Sequence, residues 1–102
     1  MEKGDRMKIT DVAVRKLFGE GILRAIVSVT FDEVFVIHDV KVLVIGDRTL
    51  MVMPNRKNPD GTYRDVAHPI QPSFRKELEA AVLAAYEEAK ANFVPPEDPV
   101  TV

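Results

Sequence analysis

The sequence predicts an α+β domain: a four- to five-stranded antiparallel sheet followed by one C-terminal helix, assembled as a homodimer. Three observations carry that expectation. Over residues 8–53 apolar residues, many of them valine and isoleucine, recur at alternating positions between short polar turns. From Phe74 onward they fall three and four apart instead, at Leu78, Ala81, Val82, Ala85 and Ala89. Residues 34–45 are apolar on both sides, and a single helix covers only one face of a sheet. A second copy of the chain is the commonest cover for the other face.

The elements follow in order. Residues 8–18 read as a first strand, with Ile9, Val12, Val14 and Leu17 in strand-favouring positions, and Gly19-Glu20-Gly21 turns the chain. Residues 22–31 alternate cleanly: Leu23, Ala25, Val27, Val29 and Phe31 on one face, Arg24, Ser28 and Thr30 on the other. After the Asp32-Glu33 turn, Val34, Val36, Val40, Val42 and Val44 are assigned to one face of a third strand and Phe35, Ile37 and Leu43 to the other. Gly46-Asp47-Arg48 leads into a strand over 49–53, ended by Pro54. Asn58-Pro59-Asp60-Gly61 fits a type I turn, and residues 62–66 can return against 49–53 as a hairpin. Ser73 is placed to cap the helix, which Pro95-Pro96 stops. Residues 7–92 are read as the folded domain, with flexible extensions at 1–6 and 93–102.

Composition narrows the function. A chain of 102 residues with 46% hydrophobic and 29% charged residues is one ordinary globular domain. It has no cysteine, which excludes disulfides, thiolate metal sites and a cysteine nucleophile. No apolar run approaches bilayer length and Met1 to Arg6 lacks a signal-type apolar segment, so the expected location is cytoplasmic, with no membrane partner. The net charge of −2 is unevenly spread. Residues 54–76 carry five basic groups against two acidic ones, and residues 77–102 carry one basic group against six acidic ones.

The segment 53–70 concentrates the chemistry. It holds three prolines, the turn, Arg56, Lys57, Arg64, Tyr63 and His68, between an apolar strand and the helix. Arg56 and Lys57 with Asn55 at a hairpin tip, Arg64 on the returning strand, and Arg75 and Lys76 opening the helix can grip phosphate. The plain alternative is a solvated loop with Arg64 paired to Asp65 or Asp60. Tyr63 can stack on an unpaired base, although packing across the hairpin is the commoner use. Arg24, on the polar face of the second strand, either extends the basic surface or is a simple exposed cation. His38-Asp39 and Asp65 with His68 match no metal-ligand spacing, and His38 is read as a buried, hydrogen-bonded histidine. Gly19-x-Gly21 lacks the third glycine and the following helix of a nucleotide loop. No serine or threonine sits in a nucleophile elbow. The residues point to binding, with no catalytic residue, metal, cofactor or small-molecule substrate.

The chain resembles the stage V sporulation protein G (SpoVG) family of small bacterial regulators. The resemblance rests on Ile9-Thr10-Asp11-Val12, on Leu23-Arg24-Ala25 and on the run Phe35-Val36-Ile37-His38-Asp39-Val40. It continues in Met53-Pro54-Asn55-Arg56-Lys57, Pro59-Asp60-Gly61, the stretch from Arg64-Asp65-Val66 to Ala67-His68-Pro69-Ile70, and the run from Ala80 to Tyr86. It implies a small dimeric α/β fold without enzymatic activity. It also implies a role in sporulation and asymmetric septation, and regulation through DNA and RNA. The chain departs from the family pattern at its ends and at Asn55-Arg56-Lys57, where the cationic pair is kept. The expected function is a homodimeric regulator that binds DNA, with RNA the second target. The alternative is a protein–protein interaction module of the septation pathway.

Overall fold

The computed structural model describes residues 7–92; the expected extensions at 1–6 and 93–102, and the Pro95-Pro96 stop, lie outside the described residues. Four strands form one antiparallel meander in the order β1 (Ile9–Leu17), β2 (Leu23–Phe31), β3 (Phe35–Ile45) and β4 (Arg48–Val52). A separate two-stranded ribbon follows, β5 (Asn55–Lys57) and β6 (Tyr63–Asp65), and then α1 (Pro72–Ala91).

The turns follow from local chemistry. Asp32 and Glu33 both take positive φ, 53° and 59°, the geometry of a type I′ turn, which is closed by the Val34 N–H on the Phe31 carbonyl at 3.0 Å. The tip is tied back to β1: the Lys8 N–H donates to Asp32 Oδ1 at 3.2 Å and the Glu33 N–H to Thr10 Oγ1 at 3.0 Å.

The face assignment of β3 is corrected by a bulge. Val29 pairs with Ile37, but Val27 pairs with Val40, so β3 spends one more residue than β2 across that step. The extra residue sits at His38-Asp39, where Asp39 takes φ of 65°, a left-handed conformation that aspartate tolerates better than most residues. The bulge reverses the alternation. Phe35 and Ile37 therefore share a face with Val40 and Val42, while Val36, Lys41 and Leu43 lie on the other.

α1 packs on the sheet of its own chain. The core joins Ala25, Val27, Val29 and Phe31 of β2, Val40 and Val42 of β3, and Met51 and Met53 to Leu78, Val82 and Tyr86 of α1. Phe74 stacks at a tilt on Phe31, with ring centroids 6.1 Å apart, and fixes the start of the helix over the end of β2. The helix begins two residues before the expected cap. Gln71 is the N-cap and Pro72 opens the first turn, with the Arg75 N–H on the Gln71 carbonyl at 2.9 Å. Proline has the right φ and no N–H to leave unpaired there, so it outcompetes Ser73, which makes no capping bond.

Among the described residues, no helix lies on the opposite face of the sheet. Ile26, Leu43, Leu50 and Val52 lie half-buried there, and Val36 and Ile45 are 40% and 48% exposed. Ser28, only 3% exposed, is its polar centre: Arg15 Nε donates to Ser28 Oγ at 3.1 Å, and His38 Nδ1 lies 2.8 Å from the same oxygen. His38 itself is exposed, against the expectation of a buried histidine, because the bulge carries it to the open face. Among the described residues no helix is long and apolar enough to cross a membrane.

Leu78 anchors the helix stripe at 1% exposure. Leu78→Ala is expected to lower unfolding free energy by about 2–5 kcal/mol in urea denaturation. A loss no larger than that of exposed Lys76→Ala would place the stripe outside the core.

Candidate functional site

Residues 62–66 do not return against 49–53 as expected. Pro54 ends β4, and the returning strand pairs with the segment beyond it, Asn55 with Asp65, Arg56 with Arg64 and Lys57 with Tyr63. The Val66 N–H on the Pro54 carbonyl, 2.7 Å, closes the base of the ribbon. The tip is a three-residue loop between Asn58 and Thr62, with the Gly61 N–H on the Asn58 carbonyl at 3.0 Å and Gly61 at φ of 93°. A type I turn followed by a left-handed glycine is a common hairpin closure, and it bears out the turn read from the sequence.

Side chains lock this loop. Thr62 donates to Asp60 Oδ1 through both its amide, at 3.0 Å, and its hydroxyl, at 2.7 Å, and Asn58 Nδ2 donates to Thr62 Oγ1 at 3.0 Å. The Thr62 hydroxyl, then its amide, stabilise the ionised carboxylate and hold the Asp60 carboxyl below its ordinary value. Composition flagged the turn, but Thr62 as its hub went unread, since only the folded loop aims its hydroxyl at Asp60.

Among the described residues no other strand or helix packs its backbone against this ribbon; only its base, at Asn55, shares a shallow cleft with His38, Asp39 and Lys41 of β3. Arg56 lies directly opposite Arg64, and among the described residues neither has a carboxylate partner; nor does Lys57. Pairing of Arg64 with Asp60 or Asp65 is absent, because Asp60 is engaged by Thr62 and Asp65 lies on the other face of the ribbon. Directly opposed like charges weaken a strand pair, and two adjacent guanidinium forks suit an anion with several acceptor atoms. Tyr63 is 69% exposed beside Lys57 and does not bury itself across the hairpin. Asn55 donates its side-chain N–H to the Met53 carbonyl at 2.9 Å and stiffens the entry to the ribbon.

A family comparison identifies this arrangement's lineage: residues 7–88 match the SpoVG family. The chain belongs to the SpoVG family. A SpoVG relative in Heliobacterium modesticaldum is 56% identical over 89 residues, 86% of this chain and 99% of that protein. Another in Caldanaerobacter subterraneus subsp. tengcongensis is 52% identical over 86 residues, 84% of this chain and 94% of that protein. A third in Clostridium acetobutylicum is 50% identical over 84 residues, 82% of this chain and 88% of that protein. All three bear the name "Putative septation protein SpoVG".

The remaining candidates are dispersed around this SpoVG scaffold. Arg75 and Lys76 lie in the first turns of α1, joined to the ribbon by residues 66–71, and Arg75 Nε contacts Glu79 Oε2 at 3.4 Å. Arg24 lies away from that end. It donates Nε to the Gly21 carbonyl at 2.6 Å and lines a small cleft with Tyr86 and Lys90, near the helix C-terminus. At 1.5 Å per residue, the helix carries that cleft about 20 Å from Arg75. The His68 Nδ1 lies 3.1 Å from the Pro69 carbonyl, and among the described residues no group of three His, Asp or Glu side chains is placed to hold a metal.

The lowered Asp60 carboxyl has a definite linkage sign. Its contribution to the folded ribbon is present above the ordinary aspartate value of 3.8 and is lost as pH falls through the lower folded value. Hydrogen exchange at the Thr62 amide is therefore expected to accelerate in Asp60→Ala, measured at neutral pH, while amides of α1 keep their protection. Equal loss in the ribbon and the helix would show that the loop is not an independent unit.

Proposed function

We propose that this chain is a non-enzymatic regulator of septation, acting as a cytoplasmic homodimer that binds DNA, with RNA as its second target. The binding site is the β5–β6 ribbon, flanked by the basic start of α1. The observation that carries the reading is the pairing of Arg56 with Arg64 on an arm whose backbone, among the described residues, packs on no other strand or helix. Two unpaired cations held face to face make the free ribbon electrostatically uncomfortable, and a polyanion relieves that repulsion. The association with septation, and with sporulation where an organism makes spores, comes from membership of the SpoVG family and the names its relatives bear.

The homodimer reading is supported by the uncovered sheet face, where aliphatic groups surround Ser28. A two-fold copy would remove Ile26, Leu43, Leu50 and Val52 from water and carry a second ribbon into the assembly. A second reading, a protein–protein module of septation, is favoured by a different feature. An apolar cleft of about 440 Å³ lies between Phe31, Ile37, Met53, Phe74 and the 67–71 segment, with Ile70 87% exposed on its rim.

Salt separates the two readings. Fluorescence-anisotropy titration of labelled duplex DNA and single-stranded RNA is expected to give a log–log salt slope of about −5 if about six phosphates are neutralised. Arg56→Ala/Lys57→Ala is expected to weaken binding and flatten that slope by about 2 for each ribbon seated on the nucleic acid. Salt-insensitive behaviour, or no loss in the double variant, would favour the protein-partner reading.

Leu50→Asp is expected to convert the dimer to a monomer in sedimentation velocity while circular dichroism retains the helix. A wild-type chain that sediments as a monomer at micromolar concentration would sink the dimer.

A further inference from the structure

The geometry points to a specific mode of engagement: the β5–β6 ribbon lies in the major groove of duplex DNA, with Arg56 and Arg64 turned to the base edges as readers of guanine. This inference rests on the nucleic-acid reading of the ribbon and adds the substrate form, the groove and the residues that select sequence.

Three features of the ribbon carry it. The first is its isolation. A two-stranded arm whose backbone, among the described residues, packs on no other strand or helix has the width to enter a groove beyond its base at Asn55, and the major groove of B-form DNA admits a two-stranded ribbon. The strands are about 4.8 Å apart, and the groove is about 12 Å wide.

The second is the asymmetry of its faces. Cross-strand partners share a face, and faces alternate along a strand. One face carries Arg56 with Arg64 and no carboxylate; the other carries Asn55, Asp65, Lys57 and Tyr63. By register the strand carboxylate of Asp65 belongs to the other face and pairs with neither arginine, although it borders one shallow cleft with them at the ribbon's edge, and the tip carboxylate of Asp60 is occupied by Thr62. Only the arginine face can approach a floor walled by phosphates without carrying a negative charge into it.

The third is the chemistry of the pair. A guanidinium fork matches the O6 and N7 acceptors of guanine in two parallel hydrogen bonds. Directly opposed residues place their Cβ atoms about 5 Å apart, close enough for the two forks to address neighbouring base pairs. The loop holds this spacing before binding, because Asn58, Asp60 and Thr62 lock the turn that sets the register.

The assignment also says what the ribbon rejects. Double-stranded RNA has a deep, narrow major groove that side chains cannot read, so the arm cannot seat there. Tyr63, on the back face, is not the principal contact. A single-strand mode would make it one, since its ring would then stack on a base.

The test uses the full chain and a pool of DNA duplexes with a random central segment, selected by binding and sequenced. The expected result is enrichment of a guanine-containing motif whose guanine N7 atoms are protected from dimethyl sulfate. Arg56→Lys/Arg64→Lys keeps charge but loses both forks. At about 5- to 150-fold for each fork, the loss of both is expected to lower preference for the selected duplex over random duplex by about 30-fold or more, with random-duplex affinity nearly retained. Glu88→Ala, near the C-terminal end of α1 and away from the ribbon, is expected to leave duplex binding unchanged.

Binding that is salt-dependent and lost in Arg56→Ala/Lys57→Ala, but shows no guanine enrichment or N7 protection, overturns the groove assignment and leaves the ribbon as a phosphate-binding site. Preference for single strands, lost in Tyr63→Ala, overturns it in the same way. Absence of binding to any nucleic acid removes both this inference and the reading beneath it.

Discussion

A four-stranded sheet has two faces, and the described residues hold one long helix to set against them. α1 presents Leu78, Val82 and Tyr86, spaced four apart, and their contact with the valines of β2 and β3 organises the core. The bulge at His38-Asp39 serves that contact. Were the same residues to run as a regular strand without the bulge, the two halves of β3 would turn opposite ways, and either Phe35 and Ile37 or Val40 and Val42 would leave the helix side. With it, the apolar layer runs unbroken from Phe31 and Phe74 to Tyr86. The other face receives what remains: aliphatic groups around a Ser28 hydroxyl shared by Arg15 and His38.

Much of this was legible in the residues, for reasons that differ by element. The meander could be read because glycine, aspartate and proline punctuate it, and every expected turn between β1 and β4 is present. The β3 faces could not, because alternation reveals a strand but not the point at which its phase slips. Pro54 announced the end of β4; the partner of the returning strand depended on where the chain went after proline had removed a ladder donor. At the helix start two cues competed, and the fixed φ of Pro72 prevailed over the hydroxyl of Ser73. Tyr86 lies four residues beyond Val82, so its burial was available from spacing, but the alanines at 81, 85 and 89 drew the stripe to one side.

The candidate site divides in the same way. Composition gathered Arg56, Lys57, Tyr63 and Arg64 into one segment, and the structure keeps them on one arm. That Arg56 opposes Arg64 is a matter of register, which the Asn58–Thr62 loop decides and composition cannot. Arg24 was selected from the polar side of β2; the register of β2 slips between Leu23 and Ala25, and Arg24 lines a cleft with Tyr86 and Lys90 of α1 instead, a shift that alternation does not reveal. The arm combines opposing tendencies. A lone two-stranded ribbon is marginal in water and this one carries a like-charge pair, yet its loop is tied by three side-chain bonds. Such an arm is prepared for a ligand whose charge completes it.

The detachment of the ribbon from the body reaches beyond binding. Substitutions at sites that share no partners act almost independently on stability. Exchanging the outward side chains of the arm leaves the buried layer beneath α1 unaltered, and replacing a core valine leaves the arm's chemistry in place. On the proposed reading, affinity and target choice can therefore drift through the arm's few exposed positions while folding stays constant. The fold sets a chemically adjustable arm apart from the layer that supports it.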